Sequence, residues 1–317
     1  MGKAIITPDE LAKSSAKYRK ELLLMAVIAL GGSLQHMRMR TGVRYKETVG
    51  ELSGSIQIGP YSETREDNSD LNIVGRTLET FFGSTIKKFS PNSVYQSIYG
   101  DSIISGEGLK GVPISKAVVA YLMAQISKSL NENLWKAKRV DTGTLTSELF
   151  NGFDTITDTE ITAGAIDVAK GNLHEFTAAI TKVNAVDSLK EYYRAAHDVL
   201  QGEKTKMFIP RDIYNAYVDD YQATVGAAPY NRQFEKTFLE GSADMCELVP
   251  LPNKKGSDFL HLTVKRNMLI GTDMQSDMEK ITVEKHHPFV LDFVVAMFFG
   301  CQFESISPER LLVGKLA

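Results

Sequence analysis

The C-terminal part of the chain carries the clearest pattern of hydrophobic and polar positions. Every second residue from Phe289 to Phe303 is apolar, which is the repeat of one face of a β-strand. The intervening positions are also mostly apolar, with Asp292 and Gln302 as polar exceptions. The pattern therefore predicts one long strand, within a largely extended region from Asp258 to Val313, that other layers or other subunits cover on both faces.

A second pattern predicts a long helix that begins at Pro113 and ends near Lys138. Its apolar positions recur every four residues, at Ile114, Val118, Leu122, Ile126, Leu130 and Leu134, with Ala117 and Tyr121 alongside. No helix-breaking residue interrupts the repeat, so the helix would be about 39 Å long at 1.5 Å per residue. Such a helix is a spine against which a sheet can pack.

Short alternating segments between Thr41 and Leu78 predict a long hairpin. Apolar and polar residues alternate around Val43 and Tyr45, around Ile56 and Ile58, and around Leu71 and Ile73. The connection Glu63–Asp70 contains no apolar residue. Two interpretations are open: a solvated surface loop, or an arm that reaches a neighbouring subunit.

The N-terminal residues have the signature of a helix. Thr7 can cap it, Pro8 suits its first position, and Glu10 completes a capping box. The apolar run Leu22–Leu30 follows, and it is too short for a membrane span, which needs about 20 residues. A signal peptide is the alternative, because basic residues precede the run. Acidic residues in the same segment favour a retained helix.

The segment Asp154–Asp273 has a mixed pattern of shorter elements. Helices are predicted at Asp187–Gln201 and Asp212–Tyr221, and strands at Lys206–Ile209 and Leu260–Val264. The segment is therefore expected to form a compact α+β or α/β insertion, and we expect the chain as a whole to be of the α+β class.

Composition narrows the range of functions. The chain has 317 residues, of which 43% are hydrophobic and 24% are charged, as in ordinary globular proteins. The formal net charge of −3 argues against a protein that binds nucleic acid by neutralising phosphates. Cys246 and Cys301 form no metal-binding or redox motif, so both are expected to lie in the core.

The motifs that could carry chemistry are weak. Gly106–Gly111 reads GxGxxG, but the predicted helix starts only at Pro113, so its N-terminus would not lie inside the glycine loop. His286 and His287 are adjacent on an extended segment and would point to opposite faces. We therefore assign no catalytic, cofactor-binding or metal-binding residue and expect a protein that is not an enzyme. The alternative from another class is a metal-assisted hydrolase that uses Asp273, Asp277 and a histidine.

The order of the predicted elements resembles that of one protein family. Local sequences are also similar, namely Asn151–Ile156 after the spine helix, Lys206–Arg211 before a helix, and Asn267–Asp273 before the final strands. The chain resembles, over essentially its whole length, the major capsid proteins of tailed bacteriophages, which have the Hong Kong 97-type coat fold.

This resemblance implies a division of the chain. Residues 1–40 would form an N-terminal helical arm and residues 41–78 an extended hairpin loop. Residues 79–153 and 274–317 would form a peripheral domain with the spine helix, and residues 154–273 an axial domain. The hairpin tip would lie over an adjacent subunit, so the candidate interface residues are Glu63, Arg65, Glu66, Asp67 and Asp70.

The resemblance also implies a function and partners. The chain would assemble with itself, as pentamers and hexamers, into the icosahedral head shell that encloses the DNA of a phage or prophage. It would be made in the bacterial host cytoplasm and end in the virion, with a separate scaffolding protein and a portal as further partners. No cofactor, membrane or sequence-specific nucleic-acid partner is expected. The alternative within this fold is the shell of a cellular nanocompartment that encloses a cargo enzyme.

Overall fold

The computed structural model describes residues 31–53, 60–61, 72–89, 114–225, 237–273, 281–287 and 290–317. The chain divides into two compact units. The first contains the chain up to Tyr45, then Thr80–Gly152 and Ile270–Cys301. The second contains Lys46–Glu79, Phe153–Leu269 and Gln302–Ala317.

The first unit is built on a five-stranded sheet. Its strands are β1 (Arg38–Thr41), β4 (Phe81–Phe89), β9 (Met268–Thr272), β10 (Ile281–His287) and β11 (Val290–Phe303). The order is β1-β9-β11-β10, and β4 also pairs with β11. β11 runs antiparallel to both β10 and β4 and is 14 residues long, so the predicted long strand is confirmed.

The two faces of β11 differ in how well the chain covers them. Phe293, Val295, Met297 and Phe299 are at most 5% exposed, and the ring of Phe150 packs on Phe299 with 4.8 Å between centroids. The opposite face, with Val294, is only partly buried. Within the described part of the chain, cover is thus close on the Phe293 face and partial on the Val294 face.

The spine helix, α1, spans Ile114–Asn133 and has 20 residues. It ends before Lys138, where the sequence placed its end, and is about 30 Å long at 1.5 Å per residue. Beyond the helix the backbone N–H groups have tertiary acceptors: Lys138 donates to the Ser147 carbonyl at 2.8 Å and Arg139 to Asn151 Oδ1 at 2.9 Å. These bonds replace the helical ones.

The buried face of α1 matches the predicted one only in part, because Leu130 and Leu134 of the predicted repeat are buried. Met123, Ser127 and Leu130 are at most 3% exposed, whereas Leu122 and Ile126 are only half-buried. Ser127 can occupy the core because its hydroxyl donates to the Met123 carbonyl at 3.0 Å. The buried face therefore includes Met123 and Ser127 in addition to Leu130 and Leu134 of the apolar repeat.

The two limbs of the predicted hairpin are present in the second unit. They are β2 (Lys46–Ser53) and β3 (Asn72–Glu79), which pair antiparallel with Val49 opposite Arg76. The outer positions Ile56, Ile58 and Leu71 and the tip lie outside the described residues.

The rest of the second unit combines a five-stranded sheet with four helices. The sheet has the order β5-β12-β8-β6-β7. Its strands are β5 (Leu173–Glu175), β6 (Thr205–Pro210), β7 (Cys246–Leu251), β8 (Phe259–Thr263) and β12 (Leu311–Lys315). The helices are α2 (Phe153–Thr162), α3 (Ala185–Arg194), α4 (Asp198–Gly202) and α5 (Arg211–Val225). Short 3-10 helices in the two units cover Gly31–His36, Thr146–Glu148, Val168–Lys170, Pro252–Lys254 and Lys265–Asn267.

One predicted helix of this unit is in fact two. The sequence indicated a single helix over Asp187–Gln201, but α3 ends at Arg194 and α4 begins at Asp198. The break lies at His197, whose extended backbone and side chain cap α4, with Nδ1 accepting from the Val199 N–H at 3.3 Å. The other predicted elements of this segment correspond to β6, α5 and β8.

The core of the second unit surrounds its C-terminal strand. β12 pairs in parallel with β5 and antiparallel with β8. The hydroxyl of the buried Tyr192 donates to the Leu312 carbonyl at 2.7 Å. The last residues thus belong with the second unit. The four-part division of the chain itself stays a prediction.

Both cysteines lie in the core, as predicted. Cys246 is fully buried, and burial raises the pKa of its thiol to about 12. Cys301 is 5% exposed, and its Sγ contacts the Asn151 carbonyl at 3.0 Å. Among the described helices, none combines the length and the apolar character that a bilayer crossing requires.

Candidate assembly surfaces

The five candidate interface residues of the hairpin tip, Glu63, Arg65, Glu66, Asp67 and Asp70, lie outside the described residues. The nearest described part of the connection is Pro60 and Tyr61. Tyr61 is 91% exposed. An aromatic side chain this exposed gains stability only when another surface covers it.

The base of the hairpin is buried on one face. Val49 and Leu78 on this face are at most 3% exposed. On the other face Lys46 and Glu79 form an exposed ion pair, with 2.7 Å between Nζ and Oε1. The ribbon is therefore amphipathic at its base, with an anchored and a solvated side.

Arg76 fixes this base by charge-assisted hydrogen bonds. Its Nη2 donates to Glu160 Oε1 of α2 at 2.5 Å and to Gln302 Oε1 at 3.1 Å. Gln302 in turn donates from Nε2 to the Thr77 carbonyl at 3.2 Å. The Arg76 side chain is 11% exposed, so these bonds are largely shielded from water. Charge-assisted hydrogen bonds are stronger where water is excluded.

The first unit carries an exposed apolar surface, which we name the outer sheet patch. It consists of Tyr45, Phe82 and Ile86, which are 64%, 47% and 63% exposed, around the buried Phe298. The rings of Tyr45 and Phe82 lie 5.1 and 5.0 Å from the ring of Phe298, measured between centroids.

The register of the sheet explains why these side chains share one surface. Phe82 of β4 lies opposite Phe298 of β11, and Ile86 lies opposite Val294. They therefore stand on the face of β11 that the chain covers only in part. Contiguous exposed apolar side chains of this kind mark interaction surfaces in soluble proteins. The sequence did not single them out, because alternation in β4 does not tell which face stays uncovered.

A groove of about 730 Å³ lies on the other face of the same sheet. Phe293, Val295 and Met297 of β11 line it together with α1 and the loop that follows it. Tyr121 and Leu145, at 56% and 64% exposure, also line it. The half-buried Leu122 and Ile126 point to this groove, so the apolar face of α1 is wider than the surface that covers it.

The segment after α1 is basic. Lys136 and Lys138 are exposed. The Arg139 guanidinium donates to Asp141 Oδ1 at 3.2 Å and to the Leu149 carbonyl at 3.1 Å, and it lies 4.7 Å from the centre of the Phe81 ring. The arginine is thus held in place.

The second unit contains a buried polar cluster. Lys254, which is fully buried, donates from Nζ to Asp154 Oδ1 at 2.6 Å and to Ser257 Oγ at 3.0 Å. His261 lies nearby, with Nε2 at 2.9 Å from Thr157 Oγ1 and Nδ1 at 3.9 Å from Asp154 Oδ1.

This cluster holds the unit together rather than facing a substrate. Burial, and then the neighbouring Lys254 charge, lower the pKa of His261 well below its usual value, so its imidazole is neutral at pH 7. The three charged or titratable groups connect α2, the Pro252–Lys254 turn and β8, and each is at most 7% exposed. A buried ion pair of this kind is costly to break from one side.

The described part of the chain contains no metal site at the acidic residues of the hydrolase alternative. Asp273 is buried and forms an ion pair with Nε of Arg44. Asp277 lies outside the described residues. In the described part of the chain, no group of three or more His, Cys, Asp or Glu side chains is placed to hold a metal ion.

Comparison with known proteins identifies the fold. No family model matches the sequence, and no curated protein matches it. Among solved structures, a chain of the satellite phage P4 procapsid with its size determination (Sid) protein is 9% identical, with a TM-score of 0.61 over 100% of this chain and 92% of that one. A chain of the capsid of an empty GTA particle is 12% identical, with a TM-score of 0.56 over 91% and 90%. A chain of the cyanophage A-1(L) capsid is 13% identical, with a TM-score of 0.54 over 92% and 91%.

These similarities extend over nearly the full length of both chains in each pair. The chain therefore has the fold of phage capsid proteins, and the α+β class predicted from the sequence is confirmed. At such low identity the similarity defines the fold, and the function is argued below.

Proposed function

We propose that this chain is the coat subunit of a self-assembling shell, and specifically the major capsid protein of a tailed bacteriophage or prophage. Copies of the chain would form pentamers and hexamers that close into an icosahedral head around the DNA genome. Its role would be structural rather than enzymatic, and its final location the virion.

The observation that carries this proposal is the match of the whole chain to subunits of closed shells. It covers all of this chain and 92% of the P4 procapsid chain. A fold can be shared by proteins with different functions, so the surfaces matter as well. The outer sheet patch, the groove beside α1 and the exposed Tyr61 are apolar surfaces that a neighbouring copy would cover.

The finer parts of the proposal concern the arm and the partners. The acidic tip with Glu63, Arg65, Glu66, Asp67 and Asp70 would contact an adjacent subunit, and the amphipathic base with its Arg76 anchor would hold the arm in position. A separate scaffolding protein would guide assembly, and a portal would occupy one vertex. Peripheral and axial domains of the Hong Kong 97 type would correspond to parts of the two units.

Sedimentation velocity and negative-stain electron microscopy of the expressed protein test the proposal. We expect rings or closed shells, alone or with the scaffolding protein encoded beside the gene. A strictly monomeric, compact species at high concentration under both conditions would overturn it. The neighbouring genes separate the two kinds of shell: portal and terminase genes support a phage head, and a cargo enzyme gene supports a nanocompartment.

A further inference from the structure

The groove beside α1 lies wholly within the first unit and has the size of a ligand site. Its volume of about 730 Å³ falls within the range of about 300–1,000 Å³ that is typical of small-molecule pockets. Phe293, Val295 and Met297 of β11 line it together with Leu122 and Leu130 of α1. Since burial of aliphatic groups against such a surface is favourable, the groove suits a ligand with a long apolar chain.

Strand β4 gives the groove a direction. Gly83, Thr85 and Lys87 line it and are paired with the three groove-lining residues of β11. Residues 83 and 87 are four positions apart, which corresponds to about 14 Å along a strand at 3.4 Å per residue. Leu149 packs directly on the first of them, because a Cβ at Gly83 would lie 2.7 Å from Leu149 Cδ1. The groove therefore runs from an apolar contact at Gly83 to an ammonium group at Lys87.

The charges that line the groove are not balanced. Arg139 and Asp141 form an ion pair with 3.1 Å between Nη2 and Oδ1. The Glu148 carboxylate accepts from two backbone N–H groups of its own loop, at 2.9 and 3.0 Å. Lys87 is exposed, and within the described part of the chain its side chain has no hydrogen bond or ion pair. One positive charge is thus left at one end of an apolar groove.

We propose that this groove binds a free fatty acid in the unassembled subunit. The carboxylate lies at Lys87, and the aliphatic tail extends along Phe293, Val295 and Met297 towards Leu149. The tail supplies most of the affinity by burial of apolar surface, and the opposite charges set the direction in which the ligand binds. The inference goes beyond the proposed function, because it concerns the subunit before a neighbouring copy covers the groove.

A series of ligands of increasing length tests the part played by the tail. Unassembled subunit, freed of bound lipid and separated from shells by sedimentation, is titrated calorimetrically with octanoate, decanoate and dodecanoate below their micelle concentrations. We expect saturable binding at one site per chain, with affinity that rises about fourfold for each added methylene group. Absence of saturable binding, or an affinity that does not depend on chain length, would overturn the inference.

Two variants test the part played by the groove residues. Lys87→Met keeps an apolar stem but removes the charge, so we expect dodecanoate to bind about three- to tenfold more weakly while dodecanol binds as it does to the wild type. The matched control Lys182→Met removes an exposed lysine of the second unit and should bind dodecanoate normally. Thr85→Trp places a large ring in the middle of the groove and should abolish binding of both ligands, with thermal unfolding within the error of the wild type.

The comparison of these variants decides the inference. Dodecanoate that binds equally to the wild type and to Lys87→Met, or equally to the wild type and to Thr85→Trp, would show that it does not occupy this groove. Equal weakening in Lys87→Met and Lys182→Met would also overturn the inference, because the effect would then be one of net charge. None of these measurements reads out shells, so a failure here leaves the proposed function standing.

Discussion

The Arg76 guanidinium donates to the Glu160 carboxylate at 2.5 Å, although the two residues are 84 positions apart in the chain. This bond ties strand β3 of the hairpin to helix α2. The base of the hairpin is thereby part of a compact unit, and this bond joins side chains that are 11% and 23% exposed.

Removing the Arg76 anchor should loosen the hairpin base. For Arg76→Ala we expect a loss of about 1–3 kcal/mol in the free energy of unfolding, because a hydrogen-bonded, largely buried charge pair is lost. Urea unfolding measures this loss, and hydrogen exchange should show faster exchange in β2 and β3. The control Lys46→Ala removes the exposed pair with Glu79 and should cost less than about 1 kcal/mol. Equal losses in the two variants would show that the Arg76 bonds are not the anchor.

The buried pair of Lys254 and Asp154 should be sensitive to removal of one partner. Asp154→Ala leaves the Lys254 charge buried without its carboxylate, so we expect a loss of about 3–5 kcal/mol. Replacing both, as Asp154→Leu/Lys254→Met, should recover much of that loss because no charge is then buried. Urea unfolding of the two variants measures the difference. A double variant as unstable as the single one would contradict this account.

The neutral state of His261 predicts how stability depends on pH. Its pKa is lowered in the folded chain, so on acidification the unfolded chain binds a proton first, near pH 6.5. Stability should therefore fall as the pH drops below about 6.5, by at most about 1.4 kcal/mol per pH unit from this group. The groups near the imidazole include Asp154, Lys254 and Thr157, and the ring of Phe303 stacks on it with 5.6 Å between centroids.

The variant His261→Gln isolates this contribution. Glutamine keeps a polar side chain near Thr157 but does not titrate, so the slope of unfolding free energy against pH should become shallower between pH 5 and 6.5, whatever the absolute stability. Chemical unfolding at several pH values gives the slope. An unchanged slope would show that other groups dominate the acid sensitivity.

The outer sheet patch should be required for assembly but not for folding. In Ile86→Lys a charge replaces an apolar side chain that is 63% exposed, so we expect normal thermal unfolding and loss of shells. The matched control is Val183→Lys in the second unit, where the valine is 78% exposed. It should assemble as the wild type does. Electron microscopy reads out assembly, and normal shells from Ile86→Lys would exclude this patch as an interface.

Deletion of residues 62–70 tests the role of the hairpin tip. The tip is wholly polar, and the base of the hairpin is anchored independently by Arg76, Val49 and Leu78. We therefore expect a folded monomer with a cooperative unfolding transition and impaired assembly. Loss of the cooperative transition would show that the tip belongs to the folding unit.

Patterns along the chain predicted most elements but not how they face one another. Strict alternation identified β11, and apolar spacing identified α1, because both signals are local. The same spacing identified Leu130 and Leu134 as buried but not Met123 and Ser127, since Leu122 and Ile126 are as apolar as Met123. Which face of a helix is buried depends on the elements that pack against it, and local sequence does not contain that information.

The break at His197 shows a similar limit. Apolar spacing continues from Leu189 to Leu200 across the end of α3, so periodicity alone favoured one helix. The first helix ends there because the side chain of His197 caps the next helix. One continuous helix and two helices separated by a cap are local alternatives that differ little in free energy. Arg76 was likewise inconspicuous, because an arginine in a strand becomes an anchor only when its distant acceptors are in place.

The sequence by itself determined the α+β class, the long C-terminal strand, the spine helix, the hairpin limbs and the burial of both cysteines. These follow from local periodicity and composition, which fix where apolar surface must be buried. Only the tertiary structure decided that Tyr45, Phe82 and Ile86 form one exposed patch and that Lys254, Asp154 and His261 share a buried cluster. Such groupings depend on strand register and on contacts between residues that are distant in the chain. The free energy of burying or pairing each side chain is set by its neighbours in space and not by its position in the chain.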